Sequence, residues 1–250
     1  MQAIMYAAGA GIRLKSAGGT VPKVLLEFGG KTLLEWHAQR LSEANVERLT
    51  VVSGYEYQLV DQHLARLRDR YRLDLRSLVN PLFTEGSVLS MAASIPVLQN
   101  LRAGEPVLLM DGDVLYPKQF LPQLIGSPHR TALLIDRNYS TADDDPVLVP
   151  IAGCKPFDFV KRWKGEADMV GESIGFFKVA HDDLPELIAI TLNMSAGAER
   201  SASYDDVLRQ MVQAGRFGHE DVTGLPWIEI DFPADVERAT REVLPAIAAL

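Results

Sequence analysis

Ala7-Ala8-Gly9-Ala10-Gly11-Ile12-Arg13-Leu14 follows a short apolar run, Ala3 to Tyr6, and leads on to Pro22-Lys23-Val24-Leu25-Leu26. Small residues at 7 to 11 let a backbone pass close to a ligand and turn its N–H groups inward, as a phosphate cradle requires. Arg13 and Lys23 add two cations beside that turn, so its natural guest is a polyanion. Two common phosphate motifs are excluded. The dinucleotide fingerprint needs a third glycine where Leu14 stands, and an acidic residue closing the second strand, which here runs into Ser53-Gly54-Tyr55. The Walker loop needs Gly-Lys-Ser/Thr, which Gly11-Ile12-Arg13 does not supply.

A second group of residues is acidic. Asp111-Gly112-Asp113 follows the apolar run Pro106 to Met110, at the carboxyl end of a strand, where open α/β sheets place their ligands. Two carboxylates at i and i+2 can hold a divalent cation, and magnesium prefers such oxygens together with substrate phosphates. Asp-Gly is equally a common turn at the end of a strand, and the residues alone leave both readings open. Near the C-terminus, Trp227-Ile228-Glu229-Ile230-Asp231-Phe232-Pro233 alternates so that Glu229 and Asp231 share one face. An edge strand with a solvated face reads the same way. Between these groups, Asn80-Pro81 through Gly86-Ser87 leaves a strand, makes a loop and opens a helix that Ser87 is suited to cap.

The elements that must position these groups alternate. Strands are expected at 3–6, 49–52, 73–79, 106–110 and 131–135, with helices at 32–44, 58–71, 87–98 and one beginning at Pro117. Thr32 and Glu35 form the pattern of a capping box, and His37 lies on the apolar stripe of its helix as a core residue. This rhythm implies a mostly parallel sheet covered on both faces, a three-layer Rossmann-like α/β fold. After residue 140 the rhythm changes. Asp143-Asp144-Asp145-Pro146 reads as a solvated loop. Strands are expected at 147–151, 157–163, 172–179 and 227–232, and helices at 183–192, 204–214 and 234–250. One domain over 1–250 is expected, with a nucleotide-binding half at 1–140 and a small acceptor-binding lobe at 141–250.

The N-terminal motifs resemble those of a known family. Ala7-Ala8-Gly9-x-Gly11-x-Arg13-Leu14, Pro22-Lys23-Val24-Leu25-Leu26 and Gly29-Gly30-Lys31-Thr32-Leu33-Leu34 are similar to the signature of the nucleotidyltransferases that make NDP-sugars and CDP-alcohols. The chain is most similar to the bacterial branch that loads phosphocholine, or related phospho- and phosphono-alcohols, onto CMP. The resemblance implies a nucleotidyltransferase fold and an enzyme that transfers CMP from CTP to a small phospho- or phosphono-alcohol, releasing pyrophosphate. It implies that Ala7, Ala8, Gly9, Gly11, Asn80, Gly86, Ser87 and Asp111 bind the nucleotide, with Arg13 and Lys23 binding the triphosphate and acting in catalysis. It pairs Asp113 with Asp231 on a magnesium ion. Glu172, Tyr204 and Asp205 fall in segments similar to the family's acceptor side; Lys161 is a further acceptor candidate, and Glu229 is open to orienting Asp231 or facing the acceptor. A cationic acceptor head would want aromatic faces and carboxylates, for which Trp163, Trp227, Tyr204 and Glu172 are available.

Composition bounds the alternatives. A net charge of −8 argues against nucleic acid as a partner. No apolar run reaches the roughly 20 residues of a membrane span. The N-terminus lacks a signal pattern and the single cysteine, Cys154, reads as a packed thiol, so a cytoplasmic location is expected. A homodimer is compatible with this reading. Rival readings are a sugar-1-phosphate enzyme using another NTP, a glycosyltransferase built on Asp-x-Asp, and a non-catalytic nucleotide sensor. The glycosyltransferase has no use for the cations at 13 and 23.

Overall fold

The strand Gln2–Ala7 is buried along nearly its whole length and sits at the middle of a nine-stranded sheet. It pairs in parallel with Arg48–Ser53 on one side and Val107–Asp111 on the other, and Asp74–Val79 forms the far edge. The three inner strands are largely apolar and buried because helices cover both of their faces, whereas Asp74–Val79 at the edge is mostly exposed. The computed structural model describes residues 1–15, 21–139, 146–197 and 200–250. The Asp143–Asp145 run therefore lies outside the described residues.

Parallel register brings the carboxyl ends of three strands to one level, with Tyr6 opposite Asp111 and Ala7 opposite Ser53. The Gly-rich turn leaving Ala7 and the Asp111-Gly112-Asp113 turn are thus neighbours, joined by the Gly112 N–H donating to Tyr6 C=O at 3.1 Å. The second half of the chain extends the same sheet. Met169–Val179 runs antiparallel to Val107–Asp111, to Ala132–Asp136 and to Leu148–Ala152, so it ties the two halves together. Its register shifts between Ser173 and Phe177, where Gly175 adopts φ +77°. A Cβ there would lie 2.0 Å from Asp111 Oδ2, so both the bend and the neighbouring carboxylate demand glycine.

Most expected elements form, and the departures have local causes. The helix after Pro117 begins only at Phe120, past a turn in which Pro117 C=O accepts from Phe120 N–H. Residues 157–163 are not a strand: the segment keeps one bridge, Val160 to Leu148, and curls as Trp163 packs edge-on to Phe157. Of 227–232 only Ile228–Glu229 pairs, because its partner Val114–Leu115 is two residues long. The C-terminal helix opens into a wide turn over Ala239–Val243, next to Pro245, which has no N–H to continue the ladder. Elements that were not anticipated include the strand Gly218–Asp221, the hairpin Glu27–Phe28 with Lys31–Thr32, and the two-residue strands Val114–Leu115 and Lys155–Pro156. Cys154 is exposed in a turn at φ +64°, so it is not the packed thiol expected.

Thr32 caps the helix Leu33–Glu43, its Oγ1 accepting from Glu35 N–H. The reciprocal half of the box is missing because the Glu35 carboxylate turns to Tyr71 Oη and Arg70. His37 on this helix is 0% exposed, as its place on the apolar stripe implied. It also does more than fill space. Its Nε2 lies 3.3 Å from Gly112 C=O and its Nδ1 3.3 Å from Tyr116 Oη, which fits a neutral ring donating to the turn and accepting from the phenol.

Burial, only partly offset by the bond to Gly112, lowers the His37 pKa to about 4. The unfolded chain takes up this proton near 6.5, so between those values the unfolded state binds more protons and folding weakens as pH falls. The loss accumulates from about pH 6.5 down to about pH 4 and amounts to something on the order of 3 kcal/mol. Denaturant unfolding at pH 7 and pH 4.5 will show a smaller pH-dependent loss in His37→Gln than in the parent. An equal loss in both would assign the acid sensitivity to other groups.

Candidate active site

A cleft of about 650 Å³ opens over the carboxyl ends of the central strands and continues into a side pocket of about 290 Å³. Ala7 and Gly11 line the side pocket, Ala8 lines the main cleft, and Gly9 and Arg13 line both. Gly11 stands at φ +55°, and the Lys23 stem crosses it 3.2 Å from where a Cβ would be. Pro22 starts a short 3-10 turn over Lys23–Leu25, which aims the lysine back under the Gly-rich turn.

Asp113 and Asp231 come together through backbone pairing. Glu229 pairs with Val114, Ile228 with Leu115, and the Ile230 N–H donates to Asp113 C=O at 2.9 Å. The Asp235 carboxylate then accepts from the N–H groups of Asp231 and Phe232, at 3.0 and 2.7 Å, which fixes the chain where it leaves the strand. Lys23 Nζ donates to Asp113 Oδ2 at 2.9 Å and also to Asp231 Oδ1. Arg13 donates to Asp231 Oδ2 at 2.7 Å and lies over the Phe232 ring, 5.0 Å from its centroid. Both oxygens of Asp231 are therefore held by cations. Burial opposes the charge on Lys23, but Asp113 and Asp231 outweigh it and raise its pKa above the usual lysine range.

Asp113, Glu229 and Asp231 each offer a carboxylate oxygen, all within 4.8 Å of one another. Three hard oxygen donors converging beside a phosphate-sized turn fit a divalent cation of the magnesium type. Asp111 faces the other way, accepting from Tyr204 Oη. Burial, followed by the charges of Asp113 and Asp205, raises its carboxyl above the usual range. Burial and then Asp111 raise the Tyr204 phenol. The Tyr204 ring lies against Tyr6, 5.1 Å between centroids.

The remaining expected residues divide. Ser87, Lys161, Glu172, Tyr204, Asp205 and Glu229 all line the main cleft. Ser87 does not cap its own helix; its Oγ accepts from Tyr204 N–H at 3.0 Å and lies 3.1 Å from Ser203 Oγ, joining two helix starts. Ser203 caps the helix Tyr204–Gln213 in a capping box with Asp206. Asn80 and Gly86, expected at the nucleotide, do not line the cleft. Asn80 is buried, donating to Ser90 Oγ and accepting from Leu82 N–H, so it shapes the loop from beneath. Gly86 is pressed against Arg200 C=O, 2.4 Å from a notional Cβ. Trp163 also turns out of the cleft, onto Phe157.

Sequence reasoning missed Asp136. It closes the strand Ala132–Asp136 as Asp111 closes Val107–Asp111, and that strand-end position was the available signal. Its Oδ2 accepts from the Trp227 indole at 2.8 Å, and both residues line the cleft. Tyr6 and Phe232 also line the cleft and were not singled out, because an aromatic ring on a cleft wall reads as core in a sequence.

Comparison with known proteins gives the family and the fold. Residues 3–171 match the family described as the MobA-like NTP transferase domain. No sequence among the curated proteins matches significantly. The inositol-1-phosphate CTP transferase from T. maritima superposes with a TM-score of 0.76 at 24% identity, covering 98% of this chain and 95% of that one. The CTP:phosphocholine cytidylyltransferase from Streptococcus pneumoniae gives 0.72 at 18% identity, covering 96% and 97%. A Bacillus anthracis protein assigned as a glucose-1-phosphate thymidylyltransferase gives 0.75 at 14% identity, covering 96% and 94%. At these identities the likeness establishes the fold alone.

Proposed function

Because this chain belongs to the MobA-like NTP transferase domain family and is a nucleotidyltransferase, we propose that it moves CMP from CTP to a small phosphorylated or phosphonate alcohol. The observation that carries the reading is the convergence of Arg13 and Lys23 on Asp113 and Asp231, beside the Gly-rich turn. A phosphate or phosphonate oxygen of the acceptor attacks the α-phosphorus, the bond to the β-phosphate oxygen breaks, and pyrophosphate leaves with that electron pair. The attacking oxygen is already an anion at neutral pH, so no side chain has to remove a proton.

The protein's task is positioning and charge neutralisation. Lys23, reaching both carboxylates from beneath the turn, is placed to meet charge on the α-phosphoryl group. Arg13, at the open side of Asp231, is placed for the departing pyrophosphate. Asp113 and Asp231, with Glu229 beside them, would hold a magnesium ion, which supplies further neutralisation of phosphate oxygens. Ser87 and the backbone at Ala7 and Ala8 are the groups best placed for the nucleoside, and the wall bearing Lys161, Glu172, Tyr204 and Asp205 for the acceptor.

The two cytidylyl-transferring neighbours support cytosine as the base, and the thymidylyltransferase neighbour marks the rival. Titration with CTP, UTP, GTP, ATP and dTTP in magnesium will show tightest binding for CTP. Equal or tighter binding of dTTP or UTP would transfer the chain to the sugar-phosphate branch with the same fold and the same cations.

A further inference from the structure

The turn that carries Asp113 is gripped from behind. Gly112 is buried, its N–H donates to Tyr6 C=O at 3.1 Å, and its C=O lies 3.3 Å from His37 Nε2. A Cβ on Gly112 would meet the Ala7 Cβ at 3.0 Å, so the turn needs a residue without a side chain there. That need costs rigidity. Glycine turns freely about both of its soft backbone bonds, and a rotation at Gly112 would swing the Asp113 carboxylate away from Glu229 and Asp231. Two bonds restrain this pivot: the imidazole on Gly112 C=O, and the Ile230 N–H on Asp113 C=O at 2.9 Å.

Packing alone does not ask for histidine at position 37. The Tyr116 and Phe176 rings lie 5.3 and 6.2 Å from the imidazole, and an aliphatic side chain would fill the same space without the acid sensitivity derived above. What an aliphatic side chain cannot supply is a donor for the buried carbonyl. Because that carbonyl can only accept, the ring proton stands on Nε2. Nδ1 of the neutral ring is then the acceptor, and it meets the Oη of Tyr116, itself 1% exposed, at 3.3 Å. The phenol thus fixes the tautomer that the turn requires.

We infer that His37 is a positioning residue for the divalent-cation site, holding the Gly112–Asp113 peptide so that Asp113 meets Glu229 and Asp231, with Tyr116 keeping its proton on Nε2. It has this role only under the metal reading proposed above for those three carboxylates.

Manganese, followed by the loss of its free-ion EPR signal as protein is added, probes the site without turnover. His37→Leu fills the space and removes the donor. It is expected to weaken manganese binding about tenfold or more, the usual scale for a partner one step behind a metal ligand. His37→Gln carries an amide N–H to the same carbonyl and is expected to bind manganese like the parent. Tyr116→Phe, which keeps both rings but releases the tautomer, should fall between them. Thermal unfolding of the metal-free variants reports folding separately. Equal manganese affinity in His37→Leu and the parent overturns the inference, and so does a loss in His37→Gln as large as in His37→Leu. If His37→Leu does not fold, Tyr116→Phe decides, and unchanged affinity there overturns the inference. Manganese binding that is absent from the parent, or indifferent to Asp113→Asn, fails the metal reading itself and takes the role of His37 with it.

Discussion

Asp113→Asn and Asp231→Asn will each cut turnover on the order of 10³-fold or more, measured as pyrophosphate release, and the double variant will be little worse than either. The two aspartates are more than a hundred positions apart in the chain, yet one two-residue ladder and one carbonyl bond set their carboxylates around a single ammonium. Groups that act on one shared charge are not additive, because removing either destroys the arrangement the other serves. Asparagine preserves size and a carbonyl oxygen, so Tm should move little. Independent, multiplicative losses would mean that the aspartates serve separate steps, and the shared site would have to be abandoned.

Lys23→Ala is expected to lower kcat on the order of 10²- to 10³-fold while weakening CTP binding far less. Its ammonium sits at the junction of the turn and both carboxylates, where charge builds up during transfer. Losing it also leaves Asp113 and Asp231 facing each other with Arg13 alone to offset them. Isothermal titration for the nucleotide and single-turnover kinetics for the chemistry separate the two effects. A variant with near-parental single-turnover rate and poor CTP binding would make Lys23 a ground-state binding residue.

The sequence was most legible where local rules and the fold agree. The buried central strands and the helices Leu33–Glu43 and Tyr204–Gln213 follow from apolar periodicity, and the Thr32 cap from capping chemistry. The Gly-rich turn and Asp111-Gly112-Asp113 could be read because the ends of parallel strands are where ligands gather. Less legible were features set by remote contacts. Residues 157–163 alternate like a strand, but Trp163 finds a better partner in Phe157 than the sheet offers. Asn80 looks like a ligand contact and is a buried brace, since its partners at Ser90 and Leu82 are fixed only once the loop closes. Glu229 could be assigned to the same face as Asp231, but its meeting with Asp113 depends on which short strand it pairs with. Asp136 carried only its strand-end position as a signal, and its bond to the Trp227 indole depends on a residue 91 positions away.

The strand Met169–Val179 bonds to Val107–Asp111, from which the Asp111 and Asp113 turn departs, and to Ala132–Asp136 and Leu148–Ala152 on the other side. Among the described residues one continuous ladder thus carries both walls of the cleft. If the two reactants of the proposed transfer sit on these two walls, their relative orientation is fixed when the chain folds and need not be recovered from binding energy at each encounter. For the proposed transfer, whose nucleophile needs no activation, such prepaid orientation would supply a large share of the rate, since well-oriented neighbours can reach effective molarities on the order of 10⁵ M or more. The sheet itself acts as an entropy trap, leaving side chains and loops to do the closing.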